Sequence, residues 1–321
     1  MVKSPPLRFH ADGSFRILML SDLQETLHHD GRTLRAINGL LDETKPDLVL
    51  LGGDNCYGPE FHDPMEIREY LRIFTAPMAE RRIPWAHVFG NHDHDLEIDD
   101  RVLQAVYEET PFCISGHTPE TVHGVTNCVL PVYGNRDDSP VFNVWLMDTN
   151  NLAEDYMKEL GIEGGWKLPV KPDQQGGWDK IRFDQIMWYY TTSMEMEKAA
   201  GRKIPGMLMT HAALWEHALV RNNPKETGLT GETVERTDLG VLNSGLFSAM
   251  LERGDIRLAA AGHTHMDDFC GKYMGITLCL DGCAGWAPYG TDSIRGGRVF
   301  DLREDDPANI TTFMVRSAKY I

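Results

Sequence analysis

Short apolar runs punctuate this chain and alternate with segments of helical spacing. Arg16–Ser21 (RILMLS) reads as a buried strand, and Arg32–Glu43 carries apolar residues at helical intervals. Asp47–Leu51 (DLVLL) predicts the next strand and runs into Gly52, Gly53 and Asp54. Pro64–Arg82 predicts one long amphipathic helix with a proline in its first turn. Trp85–Phe89 predicts a third strand, which leads into Gly90, Asn91, His92 and Asp93. This β-α-β-α-β order implies a parallel sheet covered by helices.

The second half continues less regularly. Strands are predicted at Val141–Met147, Gly206–Thr210 and Arg257–Ala261, and helices at Phe183–Ala200 and Asn243–Arg253. Gly275–Leu280, Arg298–Leu302 and Ile310–Val315 read as strands of a second sheet. Asn150–Lys180 and Leu214–Thr237 lack periodicity and are rich in Gly, Pro, Trp and charge. They are expected to be surface loops that wall a pocket. No repeat, low-complexity tract or linker interrupts the 321 residues, so a single domain over 1–321 is expected.

The candidate chemistry sits where the strands stop. Apolar runs end in Ser21-Asp22, Gly53-Asp54, Gly90-Asn91-His92, Thr210-His211 and Gly262-His263-Thr264-His265. Residues at the carboxyl ends of neighbouring strands converge on one edge of an open α/β sheet, where ligands bind. Carboxylate, amide oxygen and imidazole without thiolate suit Zn, Mn, Fe or Co. Asp54 has two oxygens and can bridge a pair of ions roughly 3.5–4 Å apart, the spacing that serves displacement at phosphorus.

Charge and cysteines bound the partners. A net charge of −17 disfavours a nucleic-acid groove but allows a small phosphorylated substrate where cations reverse the local field. No apolar stretch is long enough to span a membrane. The six cysteines form no CxxC pair and are expected to be free thiols. Together with a start that lacks an apolar leader segment, this suggests a cytoplasmic protein. The P-loop, GxGxxG and GxSxG motifs are absent.

The five blocks, in this order, resemble the calcineurin-like metallophosphoesterase superfamily. Asn243–Phe247, Gly262–Cys270, Tyr289-Gly290 and Arg298-Val299 are similar to a purple-acid-phosphatase-like subgroup. The resemblance implies an α/β fold of two facing mixed β-sheets flanked by helices, with the site at one end of the sandwich. It implies hydrolysis of a phosphomonoester by hydroxide generated at a dinuclear centre; a phosphodiesterase acting on cyclic nucleotides or nucleotide-diphosphate compounds is the alternative. The first metal would take Asp22, Asp54 and His265, and the second Asp54, Asn91, His211 and His263. His92 would face the substrate. Many members carry His two residues after the first Asp, where this chain has Gln24. Tyr57 lies at the offset from Asp54 at which purple acid phosphatases place an iron-binding tyrosinate. Fe³⁺ is therefore expected at the first site if Tyr57 ligates, with Fe, Zn or Mn as the metals overall; Gln24 is the competing ligand. His94, His217 and Arg295 are candidate substrate contacts, and Asp93, Arg298, Trp215 and Trp286 candidate neighbours of the pocket.

Overall fold

The computed structural model describes residues 5–136, 138–164 and 177–321. Eleven strands form two sheets among these residues. The first sheet contains β1 (Ser14–Leu20), β2 (Leu48–Leu51), β3 (Trp85–His87), β10 (Gly296–Arg303) and β11 (Thr311–Arg316), in the order β11-β10-β1-β2-β3. The second contains β4 (Cys128–Tyr133), β5 (Pro140–Leu146), β6 (Gly206–Thr210), β7 (Ile256–Ala261), β8 (Cys270–Tyr273) and β9 (Ile276–Leu280), in the order β4-β5-β6-β7-β9-β8.

The continuous apolar strands are explained by burial on both faces. Successive side chains of a strand point to opposite sides. Ile17 and Met19 of β1, with Leu48 and Leu50 of β2, pack against Val144, Leu146, Met207, Met209 and Leu258 of the second sheet. Leu18, Leu20, Val49 and Leu51 point the other way, onto α1 (Arg32–Thr44) and α2 (Pro64–Phe74). The outer face of the second sheet is covered by α6 (Phe183–Ala200), α7 (Trp215–Asn222) and α9 (Leu246–Arg253). The layers therefore run helix, sheet, sheet, helix, as the family resemblance implies.

Several expectations need correction. The long helix over 64–82 is two helices, α2 and α3 (Ala76–Glu80). Pro77 has no N–H and its ring clashes with the carbonyl four residues back, so the helix breaks at Thr75. Arg298–Leu302 and Ile310–Val315 do not join a second sheet. β10 pairs antiparallel with β1 (Ile17 opposite Phe300), and β11 extends that edge. The segments expected to be loops hold α5 (Ala153–Glu159), α7 and α8 (Pro224–Thr227); part of Asn150–Lys180 lies outside the described residues. β4 and α4 (Asp100–Glu109) went unpredicted, although Asp99 caps α4 by accepting from the Arg101 and Val102 amides.

Cys270 and Cys279 are disulfide-bonded rather than free. They face each other in the β8–β9 hairpin, so pairing follows from register, which spacing along the chain does not reveal. Cysteine usage therefore does not argue for a reducing compartment. No helix among the described residues is long and apolar enough to cross a membrane.

Candidate metal centre

Parallel pairing sends β1, β2 and β3 to one edge of their sheet, and β5, β6, β7 and β9 to the same edge of the other. The turns after β1, β2 and β3 carry Asp22, Asp54 and Asn91, and those after β6 and β7 carry His211, His263 and His265. The site thus joins both sheets. Two groups of side chains with converging ligand atoms result: Asp54, His211 and His263, and Asp22, Asp54 and His265. Within each group the ligand atoms lie within 4.8 Å of one another. Asp54 belongs to both.

Backbone strain aims these groups. Asp22 (φ 56°), Gln24 (42°), Asp54 (50°) and His263 (67°) all occupy the left-handed region. That conformation is uncommon for residues bearing a Cβ and persists only where the surrounding structure holds it. Close approach is equally demanding. A Cβ on Gly90 would collide with Asp54 Oδ1 and His211 Nε2. Asp93 ties the turns together: its buried carboxylate accepts from the Asn55, Cys56 and Gly90 amides. Burial and the Asp54 charge push its pKa up to about 6.

Two of the three cluster histidines are oriented from behind. His211 Nδ1 donates to the Gly52 carbonyl at 2.9 Å, and His265 Nδ1 to the Tyr289 carbonyl at 3.0 Å. A carbonyl only accepts, so in the neutral rings Nε2 keeps its lone pair and faces the cluster. His211 Nε2 lies 3.4 Å from Asp54 Oδ1, 3.3 Å from Asn91 Oδ1 and 3.2 Å from His263 Nδ1. His265 Nε2 lies 3.2 Å from Asp22 Oδ1. Burial alone would discharge His211, yet the adjacent Asp54 holds its pKa up at about 9. Burial also opposes ionisation of Asp54, but His211, His92 and His263 together take its pKa below the usual carboxylate range. Burial and the His211 charge press His263 down to about 4.

The residues fit a metal centre. Asp22 Oδ1 and His263 Nε2 are buried without a hydrogen-bond partner, and such groups are costly unless a charge or donor satisfies them. Asn91 Oδ1 and His263 Nδ1 both converge on His211 Nε2, at 3.3 and 3.2 Å, so potential ligand atoms meet where a cation can replace the imidazole protons.

The other predicted residues are placed as follows. His92 is part-exposed at the mouth; its amide donates to Asp54 Oδ1 (2.8 Å), and its ring Nδ1 lies 2.9 Å from Asp95. Tyr57 is 37% exposed, with its ring packed 5.3 Å from that of His92. Gln24, by contrast, is buried and bonded to Asp54. His94 is held between Asp100 and Asp148. His217 is fully buried, and its Nδ1 accepts the Leu214 amide at the start of α7. Arg295 braces the 285–288 turn, donating to the Gly285 and Pro288 carbonyls. Neither the buried His217 nor the braced Arg295 joins the cluster. Arg298 is buried among the Leu280 and Asp268 carbonyls. Trp286 is buried beneath Arg32 and Arg295, and Trp215 donates to the Gly240 carbonyl.

Sequence reasoning missed four contributors. Ser21 donates to Asp22 Oδ2 at 2.5 Å, and Asp95 meets His92. Both lie within three residues of a predicted site residue, a signal that was available. Asp238 stands 4.0 Å from His263 Nε2, and Trp178 lies edge-on to the His263 ring. These two come from irregular segments with no pattern to read.

A family model described as calcineurin-like phosphoesterase matches residues 15–267. The chain belongs to this family. Among curated relatives, probable inactive purple acid phosphatase 14 of Arabidopsis thaliana is 29% identical, over 88% of this chain and 74% of its own length. Probable inactive purple acid phosphatase 29 of the same plant is 26% identical, over 88% and 75%. Phosphatase DCR2 of Saccharomyces cerevisiae is 25% identical, over 81% of this chain and 45% of its own. The purple-acid-phosphatase-like resemblance read from the sequence is thus borne out by these relatives. A dimetal phosphatase structure from Danio rerio shares the fold, with a TM-score of 0.54 at 11% identity, covering 94% of this chain and 99% of that one.

Proposed function

We propose that this phosphoesterase-family chain hydrolyses a small phosphomonoester at a two-cation centre, acting as one unit over residues 1–321. The observation that carries this reading is the meeting of two ligand groups at a shared Asp54. Asp22, Asp54 and His265 would hold one cation, and Asp54, Asn91, His211 and His263 the other. The donor set suits Zn, Mn or Fe. Bound cations supply Lewis acidity to phosphoryl oxygens and acidify a water.

The chain's own groups do the rest. Asn91 and the imidazoles set where the phosphoryl group rests. Asp95 engages one nitrogen of His92, which leaves the other to hold a proton for the leaving oxygen. In this reading Tyr57 is not a ligand of the first cation, and Gln24 stands beside that group with its side-chain Nε2 donating to Asp54 and lying 3.2 Å from His265 Nε2.

A second reading is a phosphate-ester binder without turnover. It draws on the names of the Arabidopsis relatives, which include the word inactive. Aryl phosphomonoester and phosphodiester substrates assayed side by side on metal-replete protein decide the matter. Monoester turnover that falls about 10²-fold in His92→Ala supports the first reading. Diester preference redirects it, and no turnover with metal bound sinks it.

A further inference from the structure

The two ligand groups differ in what already satisfies them. In the second group the polar contacts run between the ligands themselves: His211 Nε2 is 3.3 Å from Asn91 Oδ1 and 3.2 Å from His263 Nδ1. With His211 Nδ1 committed to the Gly52 carbonyl, the N–H that joins them is a ligand imidazole's own, a proton that leaves when a cation binds.

The first group has a donor in place. Gln24 Nε2 donates to Asp54 Oδ2 at 2.7 Å and lies 3.2 Å from His265 Nε2. The Tyr289 carbonyl takes the His265 Nδ1–H, so Nε2 is free to accept. One carboxamide nitrogen carries two N–H bonds, and here they meet two of the group's three ligands. Gln24 is not free to swing away: it is 8% exposed, its φ is 42°, and its amide donates to the Asp54 carbonyl at 3.0 Å. Asp22 Oδ1 alone keeps an orphaned lone pair in this group.

We infer that the two cation positions are unequal, with Gln24 acting as an internal placeholder in the first. The second group (Asp54, Asn91, His211, His263) fills first and tightly. A borderline divalent cation enters the first group (Asp22, Asp54, His265) only by displacing the Gln24 hydrogen bonds. This rests on the reading of the cluster as a metal centre. It adds that a substitution at position 24 controls occupancy of one half without touching the other.

The test is titration of metal-stripped, full-length protein with Mn²⁺ alone, followed by calorimetry, elemental analysis and electron paramagnetic resonance. The wild type is expected to take one tight and one weaker equivalent, with the spectrum of an isolated ion at the first. Gln24→His should tighten the weaker equivalent on the order of 10-fold or more, the scale on which changes around a metal alter affinity. It should also produce an exchange-coupled spectrum at saturation, and Gln24→Glu should act in the same direction. Asp22→Asn should remove only the weaker equivalent and His263→Ala only the tight one. Two equal equivalents in the wild type, unchanged by Gln24→His, overturn the placeholder but leave the metal centre standing. Folded protein that binds no Mn²⁺ overturns both. Unequal binding as described, without hydrolysis, sinks only the catalytic reading.

Discussion

His211 and His87 are both buried completely, yet they answer burial in opposite ways. His87 sits in the core with Gln104 at its Nε2 and Ser115 at its Nδ1, each at 2.8 Å. Burial takes its pKa down to about 4, and it stays neutral. His211 is equally enclosed, but the neighbouring carboxylate of Asp54 lifts it to about 9. Burial alone produces a structural histidine. Burial beside an acid with convergent lone pairs produces a site that calls for positive charge, supplied by protons or by metal.

The comparison breaks most directly at Asp54, the residue His211 has and His87 lacks. Asp54→Asn is expected to strip metal from both groups, and kcat on an aryl phosphomonoester should fall on the order of 10³-fold or more. Elemental analysis beside the assay checks this; retained metal and turnover would show that the shared carboxylate is dispensable. Gly90→Ala is expected to act nearly as strongly, because the new Cβ displaces Asp54 and His211 together. Loss of metal in a protein whose circular dichroism is native would confirm steric rather than global damage. His92→Ala should leave metal content unchanged and lower kcat about 10²-fold, the usual weight of a general acid.

The core histidines sharpen the other side. His87 and His217 are both held at about 4 by burial, against about 6.5 in an unfolded chain. Between those values the unfolded state binds more protons, so stability should fall as pH drops from about 6.5 to about 4. The limit is roughly 3 kcal/mol for each histidine. Urea midpoints across that range, compared between wild type and His87→Gln, measure one share; an unchanged slope would contradict the buried neutral state. The smallest effect is expected at Asp95. Asp95→Ala should forfeit only part of the roughly 10²-fold contribution of His92, most visibly on substrates with poor leaving groups. Asp95→Asn, whose amide oxygen still accepts from Nδ1, should lose less.

The legible part of the fold follows the length and purity of its patterns. β1, β2 and β6 were plain because each carries an unbroken apolar run buried on both faces, over residues 17–20, 48–51 and 207–209. β4 alternates buried and half-buried positions and begins after a long irregular stretch, so its signal was weak. α4 was missed although Asp99 and Asp100 mark its start, because no apolar run announced it. The break at Thr75 was readable from Pro77, and periodicity concealed it.

The amino-acid order by itself determined the inventory of candidate ligands and its position at strand ends. Both are local properties of short apolar runs closed by Gly and a polar residue. It could not say which sheet β10 joins, which cysteines pair, or which of Gln24 and Tyr57 lies nearer to Asp54. Those outcomes depend on register and on left-handed turns that bring residues 24, 54 and 265 within a few ångströms. Only the packed tertiary structure sets such distances, because the groups are far apart along the chain and meet where two sheets share an edge.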